Sequence, residues 1–91
     1  MTRNPVFITE TARHILRHVH PDLKRAIRRA LDELAHHPVT GQPLQAELAG
    51  LWSLRVAHDR IIYRTDEAGI TIVFIGSRRT VYERLRELLI K

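Results

Sequence analysis

Residues 52–75 read WSLRVAHDRIIYRTDEAGITIVFI, and this stretch decides the fold. Trp52, Leu54 and Val56 alternate with Ser53, Arg55 and Ala57, the two-residue period of a strand with one apolar face. His58-Asp59 fits a tight turn, and Arg60-Ile61-Ile62-Tyr63-Arg64 reads as a second strand. Asp66-Glu67-Ala68-Gly69 is a turn, with glycine placed where positive φ is needed. Ile70–Ile75 is nearly continuous apolar sequence and reads as a central strand. Three consecutive strands joined by short turns predict an antiparallel meander.

Upstream the period becomes helical. Val6–Ile8 suits a short strand. Thr9 can cap a helix over Thr9–His18, with Glu10 near its positive end and Ala12, Ile15, Leu16 and Val19 on one side. His20-Pro21-Asp22 restarts a helix, since proline is well placed at a first helical position. Leu23, Ile27, Leu31 and Leu34 form its apolar stripe, and Pro38 ends it after His36-His37. These two helices read as an antiparallel hairpin. Residues 39–50 form a connector with turn residues Gly41, Pro43 and Gly50. Arg78–Ile90 returns to helical spacing, with Val81, Leu85, Leu88 and Leu89 on one side. The expected fold is therefore α+β: a two-layer β-α-α-β-β-β-α domain with the helical hairpin on one face of the sheet and the other face free to bind.

Composition narrows the classes. The chain has 91 residues, which predicts a single domain over 1–91. It has no cysteine, which excludes a disulfide framework or a thiol nucleophile. Its apolar runs are too short to span a membrane, and the N-terminal stretch lacks a signal-peptide pattern, so a cytoplasmic location is expected. Net charge is +5, and of 15 basic residues only Lys24 and Lys91 are lysine. The excess is spread over both halves, so it forms no basic tail.

The positions of the arginines carry more than their number. Arg55, Arg60, Arg64, Arg78, Arg79 and Tyr82 fall on two adjacent strands, after the third strand and at the start of the last helix. A meander brings those segments side by side. Arginine presents a planar fork of donors matched to phosphate oxygens and stays charged, so such a group suits a nucleic-acid backbone or a phosphoryl transition state. Tyr82 can exchange a proton or stack on a base. Lys24, Arg25, Arg28 and Arg29 make the outer face of the second helix basic, which suits a solvated face or contact with RNA phosphates. His14 and His18 have helical metal-pair spacing with His20 near, but no carboxylate completes a set, so no metal site is expected. His58 reads as a turn residue with the option of proton shuttling, and Trp52 as packing.

Taken together, Gly41-Gln42-Pro43-Leu44, Glu47–Val56, Arg60–Arg64 and Ile75–Tyr82 resemble the RelE/ParE superfamily of toxin–antitoxin toxins. The shared pattern is a leucine and a small-residue turn before an aromatic residue, then a strand with a basic residue. An Arg-hydrophobic-hydrophobic-Tyr strand and a glycine, an arginine and a Val-Tyr pair follow. The resemblance implies a metal-independent, cofactor-free ribonuclease that cuts mRNA on the ribosome by attack of a ribose 2′-hydroxyl on the adjacent phosphate. It also implies silencing by a cognate antitoxin. It assigns catalytic positions to Arg55, Arg60, Arg78 and Tyr82. One departure stands out: Ser53 occupies a position where studied RelE members have a second basic residue. Neither arginine nor serine is a good proton acceptor at neutral pH. The ParE branch, which shares the fold, lacks the nuclease set and poisons DNA gyrase, is the alternative. A third is a regulatory protein whose sheet only receives an antitoxin segment.

Overall fold

A short strand, β1 (Val6–Ile8), opens the chain and a helix, α3 (Val81–Ile90), closes it, in a computed structural model that describes residues 3–90. Between them run α1 (Glu10–Arg17), α2 (Pro21–His36), β2 (Gln42–Pro43), a 3₁₀ turn (Ala46–Leu48), β3 (Trp52–Val56), β4 (Asp59–Asp66) and β5 (Gly69–Ser77). Both N-terminal helices start on side-chain caps. Thr9 Oγ1 accepts the Ala12 N–H at 3.3 Å, and His20 Nδ1 accepts the Asp22 N–H at 3.0 Å. Thr9 Oγ1 also donates to the Ile72 carbonyl at 3.0 Å, which fixes the start of α1 to β5.

The α+β class and the β3-β4-β5 meander match the sequence reading. The full sheet is larger, in the order β1-β5-β4-β3-β2. β1 lies parallel to β5, so the sheet is mixed, and β2 adds a second edge against Trp52 and Ser53. β2 was not expected within the connector. It is only two residues long and contains Pro43, which lacks a ladder donor and is tolerated at an edge. The connector is latched by Tyr63, whose buried hydroxyl donates to the Pro38 carbonyl at 2.9 Å and accepts the Gly41 N–H at 3.1 Å.

Successive strand residues point to opposite faces. Ile61 and Tyr63 enter a core with Ala12, Ile27 and Leu34 of the helical hairpin. Ile62 enters a second core with Leu48, Phe74, Val81 and Leu85. Phe74 reaches that side because β5 carries an extra residue: Ile62 pairs with Phe74 but Tyr63 pairs with Ile72, leaving Val73 as a bulge. The expectation of a free second face is therefore corrected: α3 and residues 44–51 cover part of it. The physical reason lies in β5, whose nearly continuous apolar run needs cover on both sides.

β4 and β5 run longer than the sequence reading has them, and two further shifts bear on the site. The loop between β3 and β4 is Ala57-His58, since Asp59 pairs with Val56, and Ala57 takes φ 55°. The last helix starts at Val81 rather than Arg78. A Ser77–Thr80 turn precedes it, closed by the Thr80 N–H donating to the Ser77 carbonyl at 3.2 Å. Of its apolar side, Val81 and Leu85 are fully buried, whereas Leu88 and Leu89 are 44% and 52% exposed. Among the described residues no helix is long and apolar enough to cross a membrane.

Candidate active site

The antiparallel register of β3 and β4 sets Arg55 directly opposite Arg60. Like charges in such a pair repel, and among the described residues neither arginine has a carboxylate partner. Strand alternation puts Ser53, Arg55, Arg60 and Ile62 on the face that α3 covers. Tyr82, in the first turn of α3, donates its hydroxyl to Ser53 Oγ at 3.1 Å. Arg60 Nη1 approaches the same oxygen at 3.5 Å. Arg60 Nε is buried and without a hydrogen-bond acceptor among the described residues. Two strands and one helix thus bring a phenol and a guanidinium onto one serine oxygen.

What roots α3 here is legible residue by residue. Gly76 pairs with Arg60, and a Cβ at that position would lie 3.0 Å from Phe74 Cε2 and 3.3 Å from Val81 Cγ2. The missing side chain lets the start of α3 come down on β5 beside Arg60. Val81 and Leu85 supply the buried contacts. Arg86 Nε donates to Glu47 Oε1 at 2.6 Å, tying α3 to the 3₁₀ turn. That hydrogen bond, aided by one from the Glu47 backbone, holds the Glu47 carboxyl below the ordinary range.

Arg78 and Arg79 lie on the exposed turn before α3, not on the helix. With His58, Asp59 and Ser77 they line a cavity of about 460 Å³. The Arg78 N–H donates to the His58 carbonyl at 2.9 Å, so this turn is pinned to the β3–β4 loop, next to the Arg55–Arg60 end of the strands. Arg64 is exposed, four residues along β4 from Arg60, roughly 13 Å at strand rise, with Ile62 between them. It stands apart from the cluster.

The basic face of α2 is on the other side of the sheet. Lys24 and Arg28, with Arg13 and Arg17, rim a cavity of about 310 Å³ floored by Ile8, Leu16, Ile27 and Leu31. Arg25 pairs with Asp22, and Arg29 is exposed. The histidines are occupied locally. His18 Nδ1 contacts the His14 carbonyl at 2.9 Å, and His20 caps α2. Among the described residues no three His, Asp or Glu side chains are grouped to hold a metal ion. Trp52 stacks on Tyr63 with ring centroids 6.2 Å apart, consistent with packing.

The arrangement offers fixed positive charge with phosphate-matched geometry next to one proton-exchanging hydroxyl. Sequence reasoning treated Ser53 only as a missing base, took Gly76 as part of a motif without a structural role, and overlooked the Glu47–Arg86 tie. The two-residue spacing of Ser53 and Arg55 was the available signal for the first. The Glu47–Arg86 contact joins segments 39 residues apart and left no local trace.

Comparison with known proteins places the chain in context. Residues 6–82 match the family described as ParE toxin of type II toxin–antitoxin system, parDE. The chain is 35% identical over 83 residues to Toxin RelG of Mycobacterium tuberculosis, covering 87% of this chain and 95% of that protein. Among solved structures it is similar to the RelBE2 toxin–antitoxin complex of Mycobacterium tuberculosis. There the TM-score is 0.77 at 32% identity, over 86% of this chain and 94% of the other. A free RelE double mutant from E. coli gives a TM-score of 0.75 at 14% identity, over 97% and 98% of the two chains. The YoeB–YefM complex from Staphylococcus aureus gives 0.72 at 18% identity, over 84% and 98%. The last two likenesses speak to the fold alone.

Proposed function

The chain is a type II toxin–antitoxin toxin of the RelE/ParE superfamily, and from that premise we propose that it cleaves mRNA on the ribosome and is silenced by a cognate antitoxin. The observation that carries the reading is the convergence of Arg60 and Tyr82 on Ser53 beside Arg55. In the proposed reaction the ribose 2′-oxygen forms a bond to the adjacent phosphorus, and the bond from phosphorus to the 5′-oxygen breaks. The 2′-hydroxyl proton passes to solvent water, and Tyr82 supplies the proton that arrives at the departing 5′-oxygen. Arg55, Arg60 and Arg78 stay charged throughout, so their part is to hold the phosphate and stabilise the charge that builds on it. Tyr82 is the member of the set that can deliver a proton.

Support for an antitoxin partner comes from relatives whose structures were solved as toxin–antitoxin complexes. Lys24, Arg25, Arg28, Arg29, Arg64 and Arg79 are assigned to contacts with RNA phosphates outside the reaction centre, which makes ribosome binding fall with salt. Action on translating ribosomes places the protein in the cytoplasm.

Purified toxin added to programmed ribosomes with end-labelled mRNA tests this reading. Cuts within translated codons are expected, and an Arg60→Ala, Arg78→Ala double variant should give none. Undiminished cutting by that variant would remove the assignment.

A second reading, inhibition of DNA gyrase, is favoured by the ParE description of the matching family and by serine rather than a basic residue at position 53. It predicts loss of supercoiling activity in a gyrase assay while mRNA stays intact.

A further inference from the structure

Ser53 has no part in the reaction as set out above, yet the site is organised around it. It is polar and yet only 3% exposed. Its strand is paired on both sides, with Gln42 of β2 and Ile62 of β4 opposite it, so its Cα is fixed by ladders. α3 has no such ladder and is held by side chains alone. A serine oxygen has two lone pairs and can accept from both Tyr82 and Arg60. Remove it, and the Tyr82 hydroxyl loses its acceptor in a half-buried site, beside an Arg60 Nε that has none. Such unmet donors cost free energy and leave the groups free to turn elsewhere.

We infer that Ser53 is a positioning residue, whose oxygen sets the spacing between the Tyr82 hydroxyl and the Arg60 guanidinium so that a phosphate on Arg60 meets the phenol. This rests on the cleavage reading for its purpose, but the physical coupling does not. Position 53 then supplies geometry, where the resemblance led one to look for a base.

The test has two arms on the full chain. The first is a thermal-stability cycle of Ser53→Ala, Tyr82→Phe and the double variant. Each single change should lower Tm by a few degrees, and the double should lose no more than the larger single. Additive losses would show that the two side chains are not coupled and overturn the inference. The second arm is single-turnover cleavage on programmed ribosomes. Ser53→Ala should slow cleavage about ten- to a hundredfold, the scale of a misplaced catalytic group, with half-saturation nearly unchanged. In the Tyr82→Phe background the same change should matter little, and Ser53→Thr should recover most of the rate. Losses that multiply, or that fall on half-saturation alone, overturn it. Should wild-type toxin cut no translated mRNA, the cleavage reading falls, and the stability cycle alone decides whether Ser53 holds Tyr82.

Discussion

Leu85→Ala isolates the contribution of α3 docking to the site. Leu85 is fully buried against Ile62, Phe74 and Val81. Truncating a leucine in such a setting costs about 3 kcal/mol, from lost transfer energy and the cavity left behind. α3 has ten residues, too few to stay helical on its own, and its Arg86–Glu47 tie is solvent-exposed and adds little. The loss therefore falls on the docked state of α3, raising its undocked population roughly a hundredfold. A domain of this size has about 5–14 kcal/mol in hand, so the rest of the fold survives. Leu34→Ala is the control: it is as deeply buried, but in the core under α2. Urea melts should show similar losses for the two variants. Amide exchange should accelerate across α3 in Leu85→Ala alone, and cleavage activity should drop far more in Leu85→Ala than in Leu34→Ala. Equal activities in the two variants, at equal loss of stability, would refute the claim that α3 docking places Tyr82.

Gly41→Ala puts a Cβ 2.7 Å from both the Ser53 carbonyl oxygen and the Tyr63 hydroxyl. Overpacking and the weakened Tyr63 latch together should cost about 2–4 kcal/mol, read as a lower urea midpoint with unchanged slope. The Glu47–Arg86 tie predicts a small acid-dependent loss of stability. The Glu47 carboxyl is held below its ordinary value in the folded state, so its contribution is complete above the unfolded value, near pH 4, and fades as pH falls through the folded one. Tm measured from neutral pH downward should fall below about pH 4 in wild type, with the part due to this pair absent in Glu47→Gln and reduced by salt.

Much of the fold was legible because it rests on local periodicity. The alternation at Trp52–Val56 and the 4-4-3 stripe from Leu23 to Leu34 place their elements without tertiary knowledge. What escaped depended on contacts distant in sequence. β2 is too short to have a period. The place of Phe74 on the covered second face follows from the bulge at Val73, and a bulge appears only when two strands are paired. The start of α3 moved because Ser77 and Thr80 favour a closed turn over a helix, and this carried Arg78 and Arg79 onto an exposed loop. Within the candidate site, the meander implied that β3 and β4 lie side by side, but the Arg55–Arg60 pair follows from a turn at Ala57-His58; a turn at His58-Asp59 would have set Arg60 opposite Ala57. The Tyr82–Ser53 contact depends on how α3 crosses the sheet, which the bare Gly76 permits and which no spacing of Tyr82 along the chain encodes.

The most direct test of the proposed chemistry removes one atom from the substrate. Ribosomes are programmed with an mRNA carrying a single 2′-deoxy nucleotide immediately 5′ of a mapped cut, and the products are compared with those of the all-ribose message. The deoxy message should stay whole at that position, while the ribose message yields an upstream fragment ending in a 2′,3′-cyclic phosphate and a downstream fragment with a 5′-hydroxyl. Equal cutting of the two messages would contradict that chemistry.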